Sequence, residues 1–168
     1  YLKPDRVAGL AGGLYYYHPL EHRLMLLTTE IPIGQQLHGG INQVIFAESA
    51  FSLFLVSQMS AIEPMYGHKS RDFCLLEAGY MSQLLMDEAH DHDIGLCPIG
   101  GMQFEPIRPY FKLGENQEML HSFLGGAILL EQKTTLPIPE ASQVKKPEDD
   151  IKAFLHHHLP SYMVPTHY

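Results

Sequence analysis

Two rhythms of apolar and polar positions run along the chain, one suited to strands and one to helices. Residues 12–19, with Tyr15-Tyr16-Tyr17 at their centre, and Arg23-Leu24-Met25-Leu26-Leu27 are rich in β-forming side chains and are parted by the polar turn Leu20-Glu21-His22. That pattern predicts a β-hairpin. Phe51-Ser52-Leu53-Phe54-Leu55-Val56 is a short run dense in apolar and aromatic residues, which predicts a central strand covered on both faces. Residues 123–130 read as another buried strand, in which Gly125 and Gly126 permit a neighbouring backbone to come close. Residues 31–41 hold Pro32, Gly34, Gly39 and Gly40 and read as a surface loop.

The helical rhythm dominates residues 71–90. Apolar side chains recur at Cys74, Ala78, Met81 and Leu85, and again at Phe73, Leu76, Tyr80 and Leu84, so two adjacent stripes predict a long helix that is largely buried. The polar cluster from Asp87 to Asp93 and then Gly95 mark its end. A shorter helix is expected over residues 105–111, confined by Pro106 and Pro109. Composition changes near Gln132. Residues 133–147 are poor in apolar side chains and contain Pro137, Pro139 and Pro147, the make-up of a linker. Glu148-Asp149-Asp150 then place acids at the start of a short amphipathic helix, residues 151–159, stopped by Pro160.

Length and charge narrow the function. A chain of 168 residues with 45% hydrophobic content can build one sizeable core. Its 11 basic and 19 acidic residues give a net charge of −8, which repels phosphate backbones, so nucleic acid is not an expected partner. No apolar run approaches the roughly 20 residues of a membrane helix, and the opening Tyr1-Leu2-Lys3-Pro4-Asp5 lacks a signal-peptide core; a cytoplasmic, soluble protein is expected. Tyr1-Leu2 read like the middle of a strand, as in a chain cut from something longer. Cys74 and Cys97 are too few for a disulfide framework and are expected to be buried free thiols.

Two segments could carry chemistry. Gly95-Leu96-Cys97-Pro98-Ile99-Gly100-Gly101-Met102 could let the backbone approach a flat cofactor, or be a plain turn. Glu63-Pro64-Met65-Tyr66-Gly67-His68-Lys69-Ser70-Arg71 reads as a loop in which cations near Tyr66 could stabilise its phenolate for acid–base work, or in which the ring simply packs at a helix entrance. His90 and His92 with their acidic neighbours are read as a solvated helix end rather than a metal site, because i,i+2 spacing puts the histidines on different faces. His156-His157-His158 falls within the last expected helix and is likewise read as polar side chains facing solvent.

Three segments in order resemble the nitroreductase-like flavin oxidases of the azoline-dehydrogenase type. Gly13-Leu14-Tyr15-Tyr16-Tyr17-His18-Pro19 with His22-Arg23-Leu24 resembles that family's early hairpin. Met65-Tyr66-Gly67 resembles its Lys-Tyr-Gly element, with Met65 in place of the lysine. Leu75-Leu76-Glu77-Ala78-Gly79 and the Gly95–Gly101 stretch resemble its central helix and flavin loop. The resemblance implies an α+β fold with a central mixed or antiparallel sheet, a buried long helix and an FMN site completed by a homodimer, over residues 1–132 with the N-terminal part of the domain missing. It implies that Pro98, Ile99, Gly100 and Gly101 hold the flavin and its phosphate, with Arg71 a further candidate for the flavin, and that Tyr66 is the candidate catalytic base; with Met65 in the lysine's place, the cation beside Tyr66 is expected from Lys69 or Arg71, or is absent.

Leu159-Pro160-Ser161-Tyr162-Met163-Val164-Pro165 resembles the end of an adenylation domain, so residues 148–168 are expected to be a fragment of one. Together the resemblances imply an oxidase domain embedded in a nonribosomal peptide synthetase. Its partners would be the other synthetase domains and a peptidyl or aminoacyl substrate on a carrier protein. The implied reaction is oxidation of a carrier-bound thiazoline or oxazoline to the aromatic ring. The alternatives are oxidation of a carrier-bound amino acid, as in indigoidine-type synthetases, and a noncatalytic structural or interaction domain.

Overall fold

The computed structural model describes residues 1–128, so the expected linker and adenylation-like fragment lie outside the described residues. The hairpin forms as its sequence predicts. Strand β1 (Leu14–His18) pairs antiparallel with β2 (Arg23–Thr28), Tyr16 facing Met25 and Tyr17 facing Leu24. The turn places His22 in the left-handed region at φ 48°, and the Tyr17 hydroxyl lies 2.6 Å from its Nδ1.

Three more strands build an antiparallel sheet: β3 (Phe51–Gln58), β4 (Ile94–Ile99) and β5 (Gln117–Ala127), in the order β3-β5-β4. The run at residues 51–56 is therefore an edge strand, and the centre belongs to β5. The reason lies in Gly125: a Cβ there would collide with the Phe51 ring on one side and approach Leu96 to 2.8 Å on the other, so only a bare backbone lets both neighbours close in. The outer edge of β3 is partly covered by Tyr1 and Leu2. The Tyr1 amine donates to the Ser52 carbonyl and the Ser52 N–H to the Tyr1 carbonyl, each at 2.8 Å.

Residues 31–41 are a loop apart from a short 3₁₀ turn (Gln35–Leu37), but not wholly a surface one: Ile33 and Leu37 pack into the same cluster as Phe46, Ile99, Phe104, Ile107 and Leu124. Helix α1 (Asn42–Glu48), which the sequence reading did not anticipate, buries only Phe46. Ile107 and Phe123 are fully buried, each worth about 1.5–3 kcal/mol relative to exposure. The expected helix over residues 105–111 shrinks to a 3₁₀ turn (Arg108–Phe111), since each proline removes a backbone donor.

The segment read as a loop around Tyr66 is helical. Helix α2 (Met59–Tyr66) and a 3₁₀ turn (Gly67–Lys69) lead into α3 (Ser70–Asp91). The break falls at Gly67, whose φ of 55° and ψ of −130° suit glycine. The limits of α3 agree with its periodicity, but its burial does not. Only Ser70, Cys74, Ala78 and Ser82 are buried, small side chains one turn apart that let the helix lie close against the sheet. The stripe of Phe73, Leu76, Tyr80 and Leu84 is exposed, Tyr80 to 70% and Leu84 to 69%. Among the described residues no helix is long and apolar enough to cross a membrane.

Candidate functional site

Strand β4 delivers the glycine pair. Residues 95–99 of the stretch expected to be a flavin loop or plain turn are strand, within β4, and Pro98 is tolerated there because β4 is an edge. Ile99 is 3% exposed and opposes Ser122 of β5, which fixes the point where the chain leaves the sheet. Beyond the pair, Met102 forms an antiparallel bridge with His38, and the Gln103 N–H donates to the Leu37 carbonyl at 2.8 Å. Gly100 and Gly101 are thus strung between two anchors. A Cβ on either would meet nothing within 4 Å, and neither has a positive φ. The described chain sets no demand for glycine at these positions, which present bare, exposed backbone.

His38 stands behind this turn and was not singled out by sequence reasoning. It is 4% exposed, and among the described residues neither ring nitrogen has a hydrogen-bond partner. Its ring stacks on Phe46 at 4.9 Å and 30°. The Lys3 ammonium sits 4.0 Å from the centre of that same Phe46 ring and donates to the Phe46 carbonyl. Burial first, and the Lys3 charge second, push the His38 pKa below its ordinary value. A histidine in an aperiodic, glycine-rich segment gives no positional signal in sequence.

The other expected site residues line the junction of α2 and α3. Tyr66 ends α2, 44% exposed, with its ring against Phe73 at 4.5 Å between centroids, as in the packing alternative for this side chain. Lys69 closes the 3₁₀ turn. Among the described residues neither the Tyr66 hydroxyl nor the Lys69 ammonium has a hydrogen-bond partner, and no bond or ring contact joins this junction to the glycine pair. Arg71 is committed elsewhere: its Nε donates to Glu118 of β5 at 2.9 and 3.2 Å, and a terminal nitrogen lies 2.8 Å from the same carboxylate.

Cys74 is buried and Cys97 half-buried, both as free thiols. Burial pushes the Cys74 thiol up, with Glu77 and Glu118 adding to the effect, so it stays protonated. At the end of α3, His92 pairs with Glu88 at 3.1 Å and Gln83 donates to Asp87.

A family model described as the nitroreductase family matches residues 12–126, a span that takes in the hairpin, all of α3 and nearly all of the three-stranded sheet. The chain belongs to the nitroreductase family. The α+β architecture with antiparallel sheets and a long helix is that family's fold. A similar protein is the indigoidine synthase of Dickeya dadantii (strain 3937), 28% identical over 109 residues. The match covers 64% of this chain and 6% of that protein, so the chain spans only a small part of its relative's length. Family membership points to oxidoreductase chemistry of the flavin type, and its members typically bind FMN. At the end of β4, Gly100 and Gly101 are exposed backbone with open space where side chains would stand, so nothing in the described chain bars a flat group from approaching there.

Proposed function

We propose that this nitroreductase-family chain is part of an FMN-dependent oxidase domain of a nonribosomal peptide synthetase, and that it oxidises a thiazoline or oxazoline carried by a carrier protein to the aromatic ring. The observation that carries this reading is the exposed glycine pair, which no packing or backbone angle of the described chain requires. FMN, when bound, supplies a two-electron acceptor for the hydride lost by the ring. The backbone at Pro98, Ile99, Gly100 and Gly101 would hold it, the buried Ile99 keeping that backbone in place. Tyr66 would take the proton lost by the substrate, with Lys69 three residues on as its candidate partner. Arg71 would serve the flavin phosphate only by sharing or leaving Glu118.

The similarity to indigoidine synthase favours a second reading, oxidation of a carrier-bound amino acid at the same site. Both are tested by loading a carrier protein with each substrate, adding FMN and the protein, and following loss of two hydrogens by mass spectrometry. Azoline turnover alone supports the first reading and amino-acid turnover alone the second. Turnover of neither, with no flavin absorption retained after desalting, leaves the noncatalytic domain.

The exposed stripe on α3 supports a homodimer as part of the same proposal. Phe73, Leu76, Tyr80 and Leu84 recur at three- and four-residue spacing on a long helix, and large contiguous apolar faces are usually covered. Leu76→Ser with Leu84→Ser is expected to leave the melting temperature of the monomer nearly unchanged while lowering the mass measured by light scattering from dimer to monomer. A wild-type protein that is monomeric at high concentration removes the dimer from the proposal.

A further inference from the structure

We propose that His38 is a positioning residue for the Gly100–Gly101 turn, and that it holds the turn only while its imidazole is neutral. The inference rests, for its link to flavin, on the reading that this turn contacts the cofactor; the latch itself does not.

The far anchor of the turn is the backbone of Leu37 and His38, through the His38–Met102 bridge and the Gln103-to-Leu37 hydrogen bond. That backbone is held in turn by its burial and by Gln43, whose Nε2 donates to the His38 carbonyl at 2.9 Å. The imidazole is part of the burial. Among the described residues a neutral ring leaves one N–H and one lone pair without partners, buried against the Phe46 ring. A protonated ring would have two N–H donors and a full charge there. No carboxylate pairs with it among the described residues. From the N-terminal segment the charged group acting on it is the Lys3 ammonium, which is positive, and from α1 it meets the uncharged Phe46 ring, while Gln43, also uncharged, bonds the His38 carbonyl. Protonation therefore has nothing to gain inside and water to gain outside.

The direction with pH follows. The folded pKa of His38 lies below the ordinary value of about 6.5. Above roughly 6.5 both closed and released states are neutral at this ring, and the latch is at full strength. As pH falls below that value the released state binds a proton that the closed state refuses, so the bridge to Met102 weakens. The glycine turn then keeps its Ile99 anchor and loses the other.

The test compares the wild-type chain with His38→Phe between pH 8 and pH 5. Two readouts are taken: exchange of the Gln103 amide without flavin, corrected for intrinsic rates, and the dissociation constant for FMN. For the wild type, protection of this amide, which donates to the Leu37 carbonyl, should fall about tenfold and the FMN dissociation constant rise about tenfold as pH drops, and both should be flat in His38→Phe. The same pH dependence in His38→Phe, or wild-type protection that does not change, overturns the proposal. Protection that follows pH as stated in a protein that binds no FMN keeps the latch and removes the flavin reading. If His38→Phe does not fold, Lys3→Met decides: with the neighbouring charge gone the fall in protection should become shallower, and an unchanged fall overturns the proposal.

Discussion

A Cβ added at Gly125 would strike the Phe51 ring and come within 2.8 Å of Leu96, whereas one added at Gly100 or Gly101 would meet no atom within 4 Å. These glycines belong to one sheet and its immediate exit, with Leu96 of β4 facing Gly125 across the ladder and Ile99, at the end of the same strand, facing Ser122. Gly125 is explained by the chain's own packing: β5 can lie between two neighbours only if it carries no side chain at that position. Gly100 and Gly101 have no such reason. Where the fold sets no demand for a small residue on exposed backbone, the demand is best sought in something that approaches from outside.

The contrast is broken most severely at Gly125. Gly125→Val forces both flanking strands to move, and overpacking of a well-packed site costs about 1–3 kcal/mol in general; set against two strands at once, about 4 kcal/mol is expected. Urea denaturation measures it. A loss below about 1 kcal/mol would mean that the Phe51 ring rotates away, and that Gly125 is no more constrained than the exit pair.

Gly100→Ala and Gly101→Ala should behave in the opposite way. With open space and no positive φ at either position, the unfolded chain loses more freedom than the folded one, so stability should be unchanged or rise by up to about 1 kcal/mol. The cost should fall on the ligand: FMN affinity, followed by quenching of flavin fluorescence, should drop about tenfold, equivalent to about 1.4 kcal/mol. Alanines that bind FMN like the wild type would deny the pair its role as a point of close approach.

The same contrast explains what was legible in the sequence. Local rules were read well: the tyrosine-rich hairpin, the extent of α3, and the need for glycine within β5 each depend on side chains a few positions apart or on a single backbone requirement. Choices that depend on distant partners were not. The run from Phe51 to Val56 is apolar enough for a central strand, yet it is an edge, because β5 and its glycine took the centre. The stripe of Phe73, Leu76, Tyr80 and Leu84 looks like core, and within the described chain it is surface, because the smaller stripe of Cys74, Ala78 and Ser82 packs closer to the sheet. Of the candidate site, the glycine pair could be read directly; His38 could not, since its importance comes from a bridge to a residue 64 positions away.

Arg71 offers the smallest effect on the fold and a sharp test of the contrast. Its guanidinium grips Glu118 through three short nitrogen–oxygen approaches, yet the two side chains are 56% and 38% exposed. Exposed pairs of this kind contribute little because water screens them and two long side chains must be ordered to form them. Arg71→Ala and Glu118→Ala should therefore both leave the melting temperature almost where it was. If Arg71 is wanted for a flavin phosphate, the two substitutions must part company on ligand: Arg71→Ala should weaken FMN binding, while Glu118→Ala frees the guanidinium and should strengthen it. Opposite signs on affinity with no change in stability would place Arg71 beside Gly100 and Gly101, among residues whose purpose lies outside the fold. Equal and negligible effects on affinity would make the pair a plain surface contact between α3 and β5.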